Sequence, residues 1–392
     1  MKIASATPYA LVGAGLIAMS YGLARFAFGL FVPAMRDGLG LTPAVMGNVG
    51  AMAFVSFVVA SGVASPIVRH LGAAGAATLA SALGVAGLMG ISQAGSALAL
   101  GTGVFACGLC TGLMMPALTA GLPGAVPDLL HGRVSAIMNA GTSFGVAVSV
   151  PTVLWLADAW RATYVGFAVV AGVCVVTSWL TLPAKAATRA PAPVVPTAVP
   201  VRGQGALIRL GLFAFGMGLV SSAYWVFAPD LVTTIGGLAP PLTGWLWFAL
   251  GVAGLAGGFA SDAADRHGPG LAQGVALGGM AAALGLLAVV PHSLPVAIVS
   301  AALFGIVYMS LTGIYLVTGM RLMPDRPASG SILPFLAIAV GQAVGSPLTG
   351  QLVAALGYRA AFIAFALLGV LTAACYRLFP ERKPAQTPPA SG

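Results

Sequence analysis

The amino-acid sequence predicts an all-α membrane protein of twelve transmembrane helices, arranged as two parallel six-helix repeats. Three observations support this fold class. The chain of 392 residues is 59% hydrophobic and only 6% charged, with a mean hydropathy of +1.01, whereas soluble domains carry roughly a quarter charged residues. Apolar stretches of about 20 residues, each long enough to cross the hydrocarbon core of a lipid bilayer, recur along the whole chain. The two halves of the chain also share a spaced pattern of identical residues.

The transmembrane segments are predicted from apolar windows bounded by charged residues, proline or glycine. In the first half they fall near residues 8–33, 44–66, 73–92, 97–119, 134–156 and 162–182. In the second half they fall near residues 206–228, 241–261, 270–290, 295–319, 330–352 and 359–379. The first apolar stretch lacks a small-residue cleavage site and continues past residue 30, so we expect a retained helix and not a removed signal peptide.

The segment 183–205 divides the chain nearly in half. It is rich in Pro and Ala and carries three basic residues, so it cannot span a membrane and is predicted to be an extramembrane linker. We therefore expect an N-terminal six-helix half at residues 1–182, a C-terminal six-helix half at 206–380 and a short polar tail at 381–392.

The positions of Lys and Arg predict the orientation, because cytoplasmic loops hold an excess of these residues. With the N-terminus inside, thirteen of the 17 basic residues fall in inner segments and three in outer ones, namely Arg36, Arg161 and Arg359. The remaining one, Arg25, lies within the first span. We expect both termini and the linker to be cytoplasmic, in the inner membrane of a bacterial-type cell. The net charge of +9 is dispersed over the loops, which argues against a nucleic-acid partner.

An internal repeat relates the two halves. A shift of 196 residues aligns Pro33 with Pro229 at a predicted outer helix end, and Ser65 with Ser261 at an inner one. The same shift also aligns Gly22 with Gly218, Gly40 with Gly236, Gly62 with Gly258 and Gly72 with Gly268, and a shift of 198 aligns Trp160-Arg161 with Tyr358-Arg359. Six spans per repeat is an even number, so the repeats have the same topology and are related by an axis along the membrane normal.

The loops after the second span of each half carry related motifs. The second-half loop, Ser261-Asp262-Ala263-Ala264-Asp265-Arg266-His267-Gly268, contains an Asp-Arg-x-Gly core, and its first-half counterpart has Arg69 where the acid would be. With six plus six spans and a central linker, the whole chain resembles the major facilitator superfamily, whose signature in this loop is of the type Gly-x-x-x-Asp-Arg-x-Gly. The resemblance implies alternating access, with the two halves latched in the outward-open state by a gating set of Arg69, Asp262, Asp265 and Arg266. The alternative for these loops is a short positively charged turn without a gating role.

Arg25 is the one basic residue predicted to lie deep in a span. It precedes Arg36, at the outer end, by eleven residues, which places its Cα about 16 Å below that end. A central Arg costs about 2.5 to 3.5 kcal/mol, so its side chain should face the bundle interior or an aqueous cavity. Every acidic residue is predicted at a span end or in a loop, which favours an anionic substrate as the partner of this guanidinium. The alternative is that Arg25 bonds to carbonyls or side-chain amides and stiffens the bundle.

Other aromatic and polar residues at similar depth complete the predicted substrate site. Tyr21 lies one turn before Arg25, and Tyr224 is the repeat equivalent of Phe28. Beside Arg25, the predicted substrate-binding residues are Tyr21, Phe28, Asn139, Tyr224, Tyr308 and Gln342. Buried amides and phenols need hydrogen-bond partners, so each either faces a cavity or joins two helices.

The sequence favours a permease, a secondary transporter of a small organic anion such as a carboxylate with an apolar body. Export of hydrophobic drugs or metabolites is the alternative within transport. The fifth span ends Ser149-Val150-Pro151 and lacks the Gly-Pro-x-x-Gly-Gly run that drug/proton antiporters of the resembled superfamily carry there. A non-transporting membrane sensor with the same fold is the third alternative. The sequence names neither the substrate nor the direction of transport nor the coupling ion.

Neither an enzyme nor a cofactor-binding protein is expected. The predicted spans hold no combination of nucleophile, base and metal ligands at mid-membrane. The pair Cys107-x-x-Cys110 lies inside an apolar helix without a second pair of ligands, so a metal site is not expected there. The Gly-rich stretches lack the lysine of a Walker-type nucleotide loop. We expect a monomer that binds one small-molecule substrate.

Overall fold

The computed structural model describes residues 5–156, 159–183, 204–257, 268–323 and 327–379, and the regular structure of these ranges is entirely helical. The N-terminal half contains α1 (Ala6–Leu39), α2 (Pro43–Ser92), α3 (Ala97–Gly121), α4 (His131–Val148), α5 (Val150–Leu156) and α6 (Trp160–Thr181). The C-terminal half contains α7 (Gln204–Thr234), α8 (Thr243–Ala256), α9 (Pro269–Val289), α10 (Leu294–Leu322) and α11 (Pro327–Ala374). Nine helices of the described residues are long and apolar enough to cross a membrane, which confirms the predicted all-α membrane fold class.

Two of these helices are too long for one crossing. A straight helix of the 50 residues of α2 would be about 75 Å long, more than twice the thickness of the hydrocarbon core. Each long helix is broken at one glycine with non-helical backbone angles, α2 at Gly72 (φ 72°, ψ 177°) and α11 at Gly357 (φ 83°, ψ 167°). Both breaks coincide with predicted loops between spans. The described helices are therefore consistent with the predicted count of twelve, and the last residues of the eighth predicted span, 241–261, lie outside the described ranges.

The internal repeat is visible in the backbone and in two side-chain contacts. Gly268, just before α9, has a positive φ of 89°, and its aligned partner Gly72 has a positive φ of 72°. In the first half Arg161 donates from Nη1 to the Ser92 carbonyl at the end of α2, at 3.0 Å. In the second half the aligned Arg359 donates from Nε to the Ala288 carbonyl near the end of α9, at 3.1 Å. The aligned arginines thus bond the same kind of helix end in both halves.

Close glycine contacts pack equivalent helices together in each half. In the N-terminal half, Gly141 and Gly145 of α4 lie against the backbone of α1, where added Cβ atoms would overlap the carbonyls of Ala14 and Ala18. In the C-terminal half, Gly341 and Gly345 of α11 lie in the same way against the backbone of α7. Small residues four apart allow this approach of two helix backbones.

The two ends of the helix bundle can be identified from contacts between helix termini. Gly38, near the end of α1, lies beside the indole of Trp160, the first residue of α6. We call this end of the bundle the distal end. At the opposite, proximal end, the amide of Ala74 donates to the Pro183 carbonyl, which follows α6, at 3.1 Å. Nearly all of the predicted linker 183–205 and the whole tail 381–392 lie outside the described residues, so the domain boundaries stay predictions.

Candidate functional site

Arg25 lies in a segment of α1 whose helical turns are wider than those of an α-helix. Residues Ala18–Phe26 form a π-helix between two α-helical parts of α1. π-Helical turns are rare in proteins, and those that occur often lie at functional sites. At the start of the segment the hydroxyl of Ser20 donates to the Leu16 carbonyl at 2.8 Å, a side-chain bond of the type that bends helices. The irregular segment therefore holds the one basic residue that the sequence placed deep in a span.

The guanidinium of Arg25 lies among four aromatic rings. Its central carbon is 4.6 Å from the ring centre of Phe57, 4.9 Å from Phe54, 5.2 Å from Phe26 and 6.0 Å from Tyr21. Arg25 is 7% exposed. Aromatic faces attract a cation, most strongly where water is excluded. The rings therefore stabilise part of the buried positive charge and surround it with apolar surface.

The hydrogen bonding of Arg25 is incomplete. Its Nη2 donates to Oε1 of Gln342 at 3.1 Å, whereas its Nε is buried without a hydrogen-bond partner in the described part of the chain. The ion pairs of the described residues do not involve Arg25. A buried charge is expensive unless it is paired and hydrogen-bonded. The site thus has spare capacity for a further hydrogen-bond acceptor.

Gln342 connects Arg25 to the C-terminal half. Its side chain is fully buried in α11. Its Nε2 donates to the Tyr308 hydroxyl of α10 at 3.3 Å and to the Ser221 hydroxyl of α7 at 3.4 Å. Ser221 is the residue that the 196-residue repeat aligns with Arg25. The equivalent positions of the two halves therefore bond to the same amide group.

An aromatic layer covers the distal side of Arg25. Phe26, the next residue of α1, stacks on Trp225 of α7, with ring centres 4.0 Å apart and planes at 26°. The indole of Trp247 in α8 donates from Nε1 to the Phe26 carbonyl at 3.1 Å. One turn further along α1, a Cβ on Gly29 would overlap the Trp225 carbonyl oxygen. The two halves are thus in direct backbone contact on this side of the site.

A cluster of charged and polar groups joins the halves at the distal end. Nη1 of Arg36 lies 3.5 Å from Oδ2 of Asp230, and its two terminal nitrogens donate to the Tyr358 hydroxyl at 2.7 Å and the Thr234 hydroxyl at 3.2 Å. The Tyr358 hydroxyl in turn donates to Asp230. The Asp230 side chain is fully buried, and that of Arg36 is 18% exposed. We call Arg36, Asp230, Thr234 and Tyr358 the distal cluster.

The structure brings some of the predicted substrate-site residues together and leaves others apart. Tyr21 and Gln342 contact the Arg25 guanidinium, and Tyr308 is hydrogen-bonded to Gln342. Tyr224 is stacked on Phe304, with ring centres 4.0 Å apart, and its hydroxyl shares a 3.0 Å hydrogen bond with the Ser300 hydroxyl. Tyr224 therefore packs inside the C-terminal half and is separated from Tyr308 by the Phe304 ring.

Two further predicted site residues lie away from Arg25. Phe28 is 4% exposed, in the α-helical part of α1 that follows the π-helix. Asn139 is half-buried in α4 and has no side-chain hydrogen bond to another described residue. Neither shares a contact with the Arg25 guanidinium among the aromatic and polar contacts above.

Only one of the predicted gating residues can be placed. Arg69 is exposed on α2, three residues before the break at Gly72, and has no ion pair within the described ranges. Asp262, Asp265 and Arg266 lie outside the described residues. The proposed loop latch therefore stays a prediction.

Five residues around Arg25 were not predicted from the sequence as part of the site. Phe54 and Phe57 belong to an apolar span, and nothing in the pattern distinguishes them from residues that face lipid. Ser221 carries a signal, since the repeat aligns it with Arg25. The other two are Phe26 and Trp247. Trp247 is fully buried, whereas Trp245, two residues earlier, is 44% exposed.

Two helical groups that meet around a buried polar site, and that are tied together at one end, define a two-repeat membrane transporter. The chain belongs to the Major Facilitator Superfamily, whose family model matches residues 14–335. The protein is thus a multi-pass membrane transporter and not an enzyme. No curated protein sequence matches the chain significantly.

Solved structures of this superfamily share the fold. A D-xylose–proton symporter superposes with a TM-score of 0.76 at 15% identity, covering 96% of this chain and 97% of that chain. A bacterial homologue of the human lysosomal transporter Spinster, inward-facing and occupied, gives 0.74 at 16% identity, with 95% and 96% covered. A POT family transporter in complex with 5-aminolevulinic acid gives 0.74 at 14% identity, with 94% and 96% covered. At these identities the likeness concerns the fold and not the substrate.

Proposed function

We propose that this protein is a secondary transporter of a small organic anion, with Arg25 as the residue that binds the anionic group. The observation that carries the proposal is the buried guanidinium with an unpartnered Nε and no carboxylate paired to it among the described residues. A bound carboxylate would supply both the missing charge and the missing acceptor. Arg presents a planar fork of donors that matches a carboxylate in two parallel hydrogen bonds.

The aromatic rings around Arg25 support a substrate with an apolar or aromatic body. Phe54 and Phe57 lie within 5 Å of the guanidinium carbon, and Tyr21 is half-buried in the same region. Ligand sites commonly combine apolar walls with a few well-placed polar groups that fix the ligand's orientation. A short carboxylate with a flat apolar body satisfies both the charge and the walls.

The distal cluster supports transport by alternating access. Movement of one repeat against the other would expose the central site to each side of the membrane in turn. In the described arrangement the halves are joined at the distal end, so the site would be reached from the proximal end. The excess of Lys and Arg in the proximal loops favours the cytoplasm on that side, which makes this an inward-facing arrangement in the inner membrane, with both termini cytoplasmic.

A ligand-binding screen tests the proposed function. The purified protein in detergent or nanodiscs is heated with a panel of carboxylates, sulfonates, sugars and cationic drugs, and the unfolding temperature is recorded. We expect carboxylates to raise it through preferential binding to the folded state. Uptake of the best ligand into proteoliposomes then measures transport. Stabilisation by cationic drugs alone would contradict the proposal and favour the drug exporter.

Two variants attribute the effect to Arg25. Arg25→Lys keeps the charge but loses the planar fork, so we expect the dissociation constant of the best carboxylate to rise at least about tenfold, the cost of a charge-assisted hydrogen bond. The control is Arg209→Lys, because Arg209 is an exposed residue of α7. Equal carboxylate binding by the two variants would contradict the assignment of Arg25.

A further inference from the structure

The amide of Gln342 is oriented so that its oxygen faces Arg25. Its Nε2 has two acceptors on the C-terminal half, Ser221 and Tyr308. An amide nitrogen has two hydrogens, and both are engaged by these two hydroxyls. The oxygen is thereby turned to Nη2 of Arg25, at 3.1 Å. The C-terminal half thus presents a fixed, neutral acceptor to a cation of the N-terminal half.

This acceptor occupies a position that an anion needs. A carboxylate binds a guanidinium with two oxygens on two neighbouring nitrogens. Of the Nε and Nη2 atoms of Arg25, Nε is buried and unpartnered, whereas Nη2 is bonded to Gln342. Nη2 carries two hydrogens, and a carboxylate on both nitrogens uses the one on the Nε side, so it competes with a Gln342 oxygen that is bonded to that hydrogen. A charged acceptor makes the stronger hydrogen bond to a guanidinium.

We propose that Gln342 holds the place of the substrate's anionic group on Arg25, and that the arriving anion displaces it. The proposal rests on the proposed function, since it requires that Arg25 binds an anion. Arg25 belongs to the N-terminal half and Gln342 to the C-terminal half, so the displacement breaks a hydrogen bond between the halves at the centre of the protein. Gln342 is then a positioning residue: it keeps the empty site's guanidinium partly bonded and links substrate binding to the contact between the halves.

If Gln342 holds the place of the anion, removal of its side chain should increase the affinity of Arg25 for an anion. In Gln342→Ala the competitor is gone and the empty site has one more unbonded nitrogen, so an anion should bind about tenfold more tightly, the value of one hydrogen bond to a charged group. In Gln342→Glu a carboxylate of nearly the same shape replaces the amide and forms an ion pair with Arg25. Added carboxylates should then bind at least about tenfold more weakly.

The experiment is a titration of purified protein with carboxylates by calorimetry. Benzoate is the first probe and uncharged benzamide its control ligand, followed by the carboxylate that stabilises the wild type most in the thermal screen. The matched control variant is Gln351→Ala, because Gln351 is an exposed residue of the same helix α11. Size-exclusion profiles and unfolding temperatures establish that each variant is folded. We expect tighter binding in Gln342→Ala, weaker binding in Gln342→Glu and wild-type binding in Gln351→Ala.

The contrary outcomes separate this inference from the proposed function. If the wild type binds a carboxylate, but Gln342→Ala binds it equally or more weakly, Gln342 contacts the substrate or only supports the fold, and the place-holding role is wrong. Wild-type affinity in Gln342→Glu would overturn it equally. In both cases the proposed function would stand. If the wild type binds no carboxylate of the panel, the proposed function fails and this inference fails with it.

Discussion

Arg36 and Asp230 form an ion pair between the two halves at the distal end, with Nη1 of Arg36 3.5 Å from Oδ2 of Asp230. The Tyr358 hydroxyl accepts a hydrogen bond from Arg36 and donates one to Asp230. Asp230 is fully buried, so the pair is shielded from water and from screening by salt. Separation of the halves at this end would break this ion pair and the hydrogen bond from Arg36 to Tyr358, and such interactions are strongest where water is excluded. The distal cluster therefore favours the closed arrangement.

One distance can follow the distal end in solution. Thr42, just before α2, and Ile235, just after α7, are both exposed and belong to different halves. Spin labels on cysteines at these two positions report the separation of the halves, after the exposed Cys375 and the partly buried Cys174 have been replaced by Ser. We call this separation the distal distance.

Replacing the buried acid should open the distal end. Asp230→Asn removes the negative charge and leaves Arg36 without its buried ion-pair partner. Arg36 is 18% exposed, so the loss should cost less than the roughly 3 to 5 kcal/mol of a fully buried pair, and we expect the distribution of the distal distance to shift from short towards long. The control is Asp37→Asn, because Asp37 also lies 3.3 Å from Arg36 but is 74% exposed, and exposed pairs contribute about 0 to 1 kcal/mol. Equal distributions in the two variants would contradict the role given to the distal cluster.

A single methyl group between the halves should also open the distal end. A Cβ on Gly29 would overlap the Trp225 carbonyl oxygen, which is backbone and cannot move aside. Gly29→Ala should therefore fold but fail to reach the short distal distance. In the control Gly15→Ala, the added Cβ in the same helix meets nothing within 4 Å. Ala favours helix over Gly, so this variant should keep the wild-type distances and be at least as stable. A short distal distance in Gly29→Ala would show that the helices adjust to the methyl group, and it would contradict this prediction.

The fold could be predicted from the sequence because hydropathy and the repeat depend on local composition. The apolar spans gave the helices, and the aligned pair Gly72 and Gly268 marked a corner that has positive φ in both halves. The depth of Arg25 followed from counting residues along one helix. All of these inferences need only the chain order and the geometry of a helix.

The contacts of the site could not be predicted, because they join residues far apart in the chain. Arg25 and Gln342 are separated by 317 residues, and no periodicity indicates that α1 and α11 meet there. Asp230 was placed at a span end, where water would be expected, but packing of the two halves buries it completely. Tyr224 has the right depth but faces Phe304 inside its own half. The depth of a residue in the membrane follows from the sequence, whereas the direction of its side chain depends on how the two halves pack.

The break at Gly72 should be sensitive to any side chain. Its backbone angles (φ 72°, ψ 177°) lie in a region that essentially only glycine adopts, where another residue costs about 1 to 3 kcal/mol. We expect Gly72→Ala to lower the unfolding temperature measured in detergent. Gly62→Ala is the control in the same helix, since Gly62 has helical angles and nothing within 4 Å of an added Cβ. It should leave the unfolding temperature unchanged or raise it, and an equal loss in both variants would contradict the backbone explanation.

The last prediction concerns the hydrogen bond from Trp247 to α1. Trp247 is fully buried, and its indole N–H bonds to the Phe26 carbonyl at 3.1 Å. That carbonyl belongs to the π-helical segment, beside Arg25. In Trp247→Phe the ring is largely kept but the donor is lost, which removes one buried hydrogen bond worth about 0.5 to 1.5 kcal/mol. Because this bond joins the two halves, the cost falls on the closed arrangement, and the distal distance should lengthen.

A matched variant two residues earlier separates this effect from a general loss of tryptophan. Trp245 is 44% exposed and makes an edge contact with Phe248 in its own helix, so Trp245→Phe should keep the wild-type distal distance. Carboxylate affinity provides a second measure, since an opened aromatic layer no longer covers the distal side of Arg25 and lets water compete for its nitrogens. We therefore expect weaker carboxylate binding in Trp247→Phe than in Trp245→Phe. If both variants match the wild type in distance and affinity, the Trp247 hydrogen bond has no part in holding the halves together, and closure depends on the distal cluster and the Gly29 contact.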